Sequence, residues 1–578
     1  MLTTKIDTLF KIKAFFAMIL TSVGLILINI YDLNFGLDTI WDEGTYIQWL
    51  KTENNFICVT QSFNFLNKIG FKNNIDIIQL RIFRIIIQLI TIFSFAFFSI
   101  IWLKKYYKIQ KHKLTYFSLL LLISVLSLEI LSKTICFRHF QQFFSLFGLL
   151  TFLFFLHEKI KIKRIIYLII SSISICICLI NVPPSGLILM VIWGIFIVIN
   201  EKSSIKETLF YLLIYCGSIL LTLMLIHFVL VDFTALIPEI LSKSKMRALA
   251  ESGHSLSDIL RPYIGFFKLM YHKILKALAF ILIYLLIQKY IKSNYVSILF
   301  FCISVAVLFS ITPRYLRIYG VFNLLLPIVF LITKNIFHSV KNRSSNSPKY
   351  YKNSDIALLF VFPLAACLGT NAGISVMILF FIPSWALLLC ILLHRYSNFI
   401  SNIELSLLLL FTTFIVINLH YFYFYRHNAL YLGNFYKSNC KIESLKPIKN
   451  IYIREEQKNY FIKIDSILKA YNFIPNSDYM LSFSGDLITI HVFSGKLTGF
   501  PYVNAKSFAA GSEKHQMPKP QFLFLDSLSY NIVSKNNSWN FPIDYDRIYL
   551  GNPEIFKGKN SQARWIFCER KKLSVHKN

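Results

Sequence analysis

Two adjacent carboxylates, Asp42 and Glu43, stand in the stretch LDTIWDEGTYIQ, directly after an apolar run at about residues 14–30. A carboxylate at such a boundary can take a proton from an incoming nucleophile that comes within hydrogen-bond reach. Adjacent side chains do not easily share one role. Asp42 is therefore assigned as the base, with Glu43 positioning the proton donor or helping to hold a divalent metal. The same pair would also solvate a loop or cap a surface helix starting near Gly44. Its place just after a first apolar span favours the chemical reading. Asp38, four residues earlier, is a weaker substitute.

The elements that must carry this pair are membrane helices. Of 578 residues, 56% are hydrophobic and only 15% charged, with a mean hydropathy of +0.57. A soluble domain could not hide that much apolar surface. Apolar runs long enough for about 30 Å of hydrocarbon fall near 14–30, 80–102, 114–131, 139–156, 165–181, 185–200, 207–230, 272–289, 294–311, 317–333, 355–369, 373–393 and 401–420, about thirteen spans.

The net charge of +31 is concentrated in short connectors, where it reports orientation rather than nucleic-acid binding. Lys104, Lys105, Lys108, Lys111 and Lys113 occupy one connector. Lys159, Lys161, Lys163 and Arg164 occupy another of the same parity, as do Lys334, Lys341, Arg343, Lys349 and Lys352. These are expected in the cytoplasm, together with the N-terminus, whose first span reads as an uncleaved anchor. Asp42 and Glu43 then face outward, as do the segments 31–79, 231–271 and 421–578. The segment 231–271 reads as a mobile cover over a site.

Cations gather on the same outer side. Arg138 and His139 are placed in the connector after the third span, beside Lys133, and Arg314 and Arg317 flank a later outer span end. Arginine offers paired donors to phosphate oxygens, and outer connectors are normally poor in basic residues. Arg81 and Arg84, three apart on one helix face, are expected to orient the second span or to pair with a loop acid. Turns are expected at Asn181 to Gly186 (NVPPSG) and at Gly369 to Asn371.

Beyond 421 the pattern changes. A helix is expected at 455–472, with strands at Tyr479–Phe483, Leu487–Phe493 and Gln521–Leu525, giving a small α/β domain. Cys440 and Cys568 both fall there and allow a disulfide without establishing one.

An outward Asp-Glu pair after the first span, the entry LRIFR (Leu80 to Arg84) and a late PRYLRIYGVFNLLLP (Pro313 to Pro327) resemble the GT-C superfamily of polyprenyl-phosphate-sugar-dependent glycosyltransferases. The likeness is to the branch with the protein O-mannosyltransferases and the lipid A aminoarabinose transferase, and covers about residues 1–420. It implies a GT-C-like transmembrane catalytic domain whose first outer loop supplies the catalytic carboxylate. The implied donor is a sugar on a lipid phosphate, and the acceptor a lipid, glycan or protein. Lys133, Arg138, His139, Arg314, Arg317 and Arg81 are then the candidates for the donor phosphate. A divalent cofactor, Mg or Mn on Asp42 and Glu43, is left open. The Ile-, Lys-, Asn- and Phe-rich composition suggests a bacterial inner membrane with a periplasmic site. A lipid-linked-glycan polymerase or ligase and a transporter or flippase are the competing classes; scarce mid-span charge disfavours transport.

Overall fold

The computed structural model describes residues 2–37, 43–51, 76–109, 112–129, 133–201, 204–230, 256–290, 320–341, 353–368, 374–396, 400–428, 434–482, 487–497, 520–533, 545–552 and 563–570, with a few shorter pieces between them. Asp38, Asp42, Arg314, Arg317 and the 369–371 turn lie outside the described residues, as does most of 231–255.

The chain is built mainly of helices: α1 (Leu2–Tyr31), α2 (Glu43–Lys51), α3 (Ile77–Tyr106), α4 (Lys113–Ser124), α5 (Phe137–His157), α6 (Lys161–Asn181), α7 (Pro183–Asn200), α8 (Ile205–Val229) and α9 (Leu256–Tyr290). They continue with α10 (Leu325–Lys341), α11 (Asn353–Ala366), α12 (Pro383–Arg395) and α13 (Asn402–His420), which runs on into a π-helical Tyr421–Asn428. Among the described residues seven helices are long and apolar enough to cross a membrane, and five shorter apolar helices accompany them. Large side chains on their outer faces, such as Leu213 and Phe228, are exposed. Apolar surface of that kind suits hydrocarbon rather than water. Helix α9 begins at Leu256, inside the segment expected as a loop cover.

Charge is segregated to the two ends of the helical body. At the lysine-rich end, Lys105 Nζ donates to Glu158 at 2.5 Å, Arg164 pairs with Glu201, and Lys334 Nζ donates to Glu404 at 2.5 Å. His157, in the last turn of α5, meets Asp355, in the first turn of α11, at 2.7 Å, and Tyr107 OH donates to the same Asp355 oxygen. Asp355, in the first turn of α11, complements the dipole of that helix. These contacts tie the ends of α3, α5 and α11 together.

Close approach at the other end depends on glycine. A Cβ on Gly186 would stand 2.3 Å from Leu179 Cα and 2.5 Å from Leu179 N, inside the turn from α6 to α7. Backbone atoms cannot yield as a side-chain tip can. Gly186→Ala should therefore cost about 1–3 kcal/mol, read as a lower melting temperature in micelles. An unchanged melt would show that α6 and α7 are not packed this way.

The tail folds on the same end. Helix α14 (Glu455–Ala470) covers a sheet of β1 (Tyr479–Ser482), β2 (Lys496–Leu497), β3 (Phe522–Asp526), β4 (Tyr545–Gly551) and β5 (Arg564–Glu569), in the order β2-β1-β3-β5-β4. β1 runs parallel to β2 and β3, while β5 is antiparallel to β3 and β4. Two further helices are α15 (Leu487–Val492) and α16 (Ser527–Val533). The strand expected at Leu487–Phe493 is thus a correction: the segment is helical and packs on α2. Ile488, Ile490, Val492 and Phe493 are buried, but so are Thr489 and His491 between them. The apparent alternation is therefore not a two-faced strand, and a run this short does not fix its own period. Cys440 and Cys568 are both free thiols.

Candidate functional site

The turn closing α1 builds the first half of the site. After Asp32–Asn34 the chain reverses through Gly36, whose φ of 72° is a conformation that glycine adopts without steric cost. Gly36 N–H donates to Tyr452 O at 2.7 Å, Tyr452 N–H to Asn34 O at 2.8 Å, and Gln457 Nε2 to Leu37 O at 2.8 Å. The tail is therefore stitched to the first loop by three hydrogen bonds between Asn34 and Leu37. Leu37, Tyr46 and Ile47 share a core with Ile453, Phe461 and Ile464, which fixes the same relation by packing.

Arg81, in the second turn of α3, closes this loop. Asp76 caps that helix by accepting from Ile78 N–H at 2.8 Å. Arg81 Nε and Nη2 each donate to one oxygen of Glu43, both at 3.0 Å, and both side chains are 0% exposed. Its remaining donors reach Leu33 O at 2.8 Å and Gly36 O at 2.9 Å. One guanidinium thus holds the chain on both sides of residues 38–42, the stretch that contains Asp42. Arg81 has the loop-acid partner, and Glu43 supplies both of its oxygens to it.

Lys133 forms the second pair. Its Nζ donates to Asp32 Oδ2 at 2.6 Å and to Phe35 O at 2.5 Å, while Asp32 Oδ1 accepts from Phe435 N–H at 3.0 Å. Burial pushes the Lys133 ammonium below its ordinary value, opposed by the charge of Asp32. Asp32 was not among the sequence candidates; its signal was an acid at the end of a long apolar run.

Arg138 and His139 lie within the first turn of α5 rather than in the connector before it. The helix starts early because His139 Nδ1 accepts the Cys136 N–H at 2.9 Å, a local cap. Arg138 is 6% exposed, lies 4.9 Å over the Phe137 ring and donates once, from Nη1 to Gln141 Oε1 at 2.7 Å. Among the described residues no carboxylate balances it. Gln141 Nε2 reaches Ser185 Oγ at 2.7 Å and Ala366 O at 2.9 Å, and Ser185 Oγ donates to Ala366 O at 2.8 Å. The starts of α5 and α7 and the end of α11 therefore meet behind Arg138, and the NVPPSG turn contributes Ser185 to that junction. Tyr46 and Tyr263 lie within its electrostatic reach. Gln141, Ser185 and Tyr263 were missed from sequence, although Arg138-His139 with Gln141-Gln142 is a conspicuous polar group for an otherwise apolar helix.

Glu43, Arg81 and Lys133 are thus brought together, with Arg138 and His139 at the head of α5. Asp42, Arg314 and Arg317 lie outside the described residues. A metal on Glu43 would have to displace Arg81 from both oxygens, and among the described residues no group of three or more His, Cys, Asp or Glu is arranged to hold one. The arrangement can do two things chemically: tie Leu33 and Gly36 to Glu43 through Arg81, and offer a buried guanidinium to an anion. No protein-family model matches the chain, and no curated protein matches it either.

Proposed function

We propose that the chain is an integral membrane glycosyltransferase. It takes a sugar from a polyprenyl-phosphate carrier and passes it to a lipid, glycan or protein acceptor at the outer face. In this reading the five shorter apolar helices and the run 294–311 complete thirteen crossings, and the end bearing Asp32 and Arg81 faces the periplasm of a bacterial inner membrane. Asp42 removes the acceptor proton as the new glycosidic bond forms, and the lipid phosphate departs with the bonding electron pair. Glu43 acts through Arg81 to hold the loop.

The observation that carries the reading is Arg138, a buried guanidinium whose charge no described carboxylate offsets. Burying an unpaired charge costs several kcal/mol, and a phosphate supplies the missing counter-charge in matching bidentate geometry. The positive ends of α5 and α7 lie at the same place, which favours an anion there.

Arg138→Gln in lipid nanodiscs should weaken the binding of polyprenyl-phosphate sugars by about 10- to 100-fold, the effect of losing one or two charge-assisted hydrogen bonds. Its thermal stability should hold or rise. Undiminished donor affinity would contradict the assignment of the phosphate to Arg138.

A further inference from the structure

Beneath the ion pairs, α3 and α5 pack together and carry polar side chains into the helical body. On α5, Gln142 lies one turn beyond Arg138, at an azimuth about 40° from it towards His139. It is 0% exposed, and neither Nε2 nor Oε1 has a hydrogen-bond partner among the described residues. His139 is also fully buried. Because its Nδ1 accepts the Cys136 N–H, the neutral ring carries its proton on Nε2, which donates to nothing described.

On α3, Gln88 lies two turns beyond Arg81. Its Nε2 donates to Ser127 O at 2.8 Å, while its Oε1 and the Ser127 hydroxyl have no partner among the described residues. Arg84, between Arg81 and Gln88, donates to Leu128 O at 3.3 Å and is an electrostatic neighbour of His139. Arg84 and Gln88 of α3 therefore border the 3-10 turn Val125–Glu129, and Arg84 brings that stripe within electrostatic reach of His139 on α5. Buried polar atoms in native proteins almost always have partners, and leaving an amide without them is costly. These four residues hold two donor groups, two amide acceptors and a hydroxyl in reserve.

We infer that Gln142, His139 and Gln88 read the sugar of the donor, and that this sugar is an uncharged, hydroxyl-rich ring lying below the phosphate at Arg138. This rests on the proposed transfer reaction. Hydroxyls both donate and accept, so they match an amide, an imidazole N–H and a lone amide oxygen together; a hydrocarbon tail matches none of them. The three residues recognise and position the ring and take no part in bond making.

The test uses the full chain in nanodiscs, with polyprenyl-phosphate mannose, polyprenyl-phosphate glucose and bare polyprenyl phosphate as probes. Wild type should bind a sugar-bearing carrier at least about tenfold more tightly than the bare one. Gln142→Leu should abolish that preference, leave the affinity for bare carrier unchanged, and melt at the same temperature or higher, since it removes unsatisfied buried atoms. A variant that keeps the preference overturns the inference, because the amide then holds water alone. A variant that loses stability and both affinities together overturns it too, by making Gln142 structural. Sugar preference in wild type without turnover of any donor supports the pocket while removing the transfer reading. Turnover that Gln142→Leu leaves intact, with sugar preference intact, removes only the pocket.

Discussion

Glu43→Ala is expected to destabilise the protein by about 3–5 kcal/mol, the range for removing one partner of a buried ion pair. Arg81 and Glu43 are both 0% exposed, so the deletion leaves a buried guanidinium hydrogen-bonded to the Leu33, Phe35 and Gly36 carbonyls, with Asp32 within electrostatic reach but already paired with Lys133. Those carbonyls satisfy hydrogen bonds without balancing charge. The double variant Glu43→Leu, Arg81→Met should recover much of the loss, because an apolar pair of similar volume is often as stable as the ion pair it replaces. Recovery should stop short of wild type, since the same carbonyls then lose their donors. Denaturant unfolding in micelles separates these cases. A loss below about 1 kcal/mol for Glu43→Ala, the size of an exposed pair, would mean that Arg81 does not close the loop. In the proposed reaction the double variant should still transfer poorly even where it is stable, because the tie between Arg81 and Glu43, the residue next to the proposed base, is gone.

Much of the architecture was legible because hydrocarbon leaves few choices. Long apolar runs must be helices, as their backbone groups can pair only within the segment. The runs at 80–102, 139–156, 165–181 and 207–230 accordingly fall on α3, α5, α6 and α8. Boundaries were less legible. Hydropathy places the head of α5 beyond Arg138, because the His139 cap that starts the helix at Phe137 is a side-chain contact with no hydrophobic signature. In the tail the helix at Glu455–Ala470 and the cores of β1 and β3 were readable, whereas β4 and β5 were not anticipated. In β4 the exposed Arg547 and Tyr549 alternate with partly buried neighbours, a weak amphipathic signal.

The candidate site divides in the same way. Residue types named Glu43, Arg81, Lys133 and Arg138, since buried or outward charge beside a span is rare enough to notice. Partnership was not readable. Nothing in the spacing from Asp32 to Lys133, or from Gly36 to Tyr452, announces a contact between residues so far apart in the chain. Such contacts also assign the tail a task that its own sequence does not suggest, holding the backbone from Asn34 to Leu37.

Asp42→Asn should lower the turnover number by about 100- to 10,000-fold, the usual contribution of a positioned general base. Donor affinity should stay close to wild type, because the proposed reaction gives the phosphate to Arg138 and the proton to Asp42. The amide keeps the shape of the carboxylate but cannot take the proton, so folding and loop closure should be unaffected, and equal melting temperatures would verify that. The direct measurement is transfer of labelled sugar from polyprenyl-phosphate donors by purified protein in lipid, wild type against Asp42→Asn. Transfer by wild type that falls at least about 100-fold in the variant, at unchanged donor binding, is the predicted result; undiminished transfer by Asp42→Asn would contradict the account.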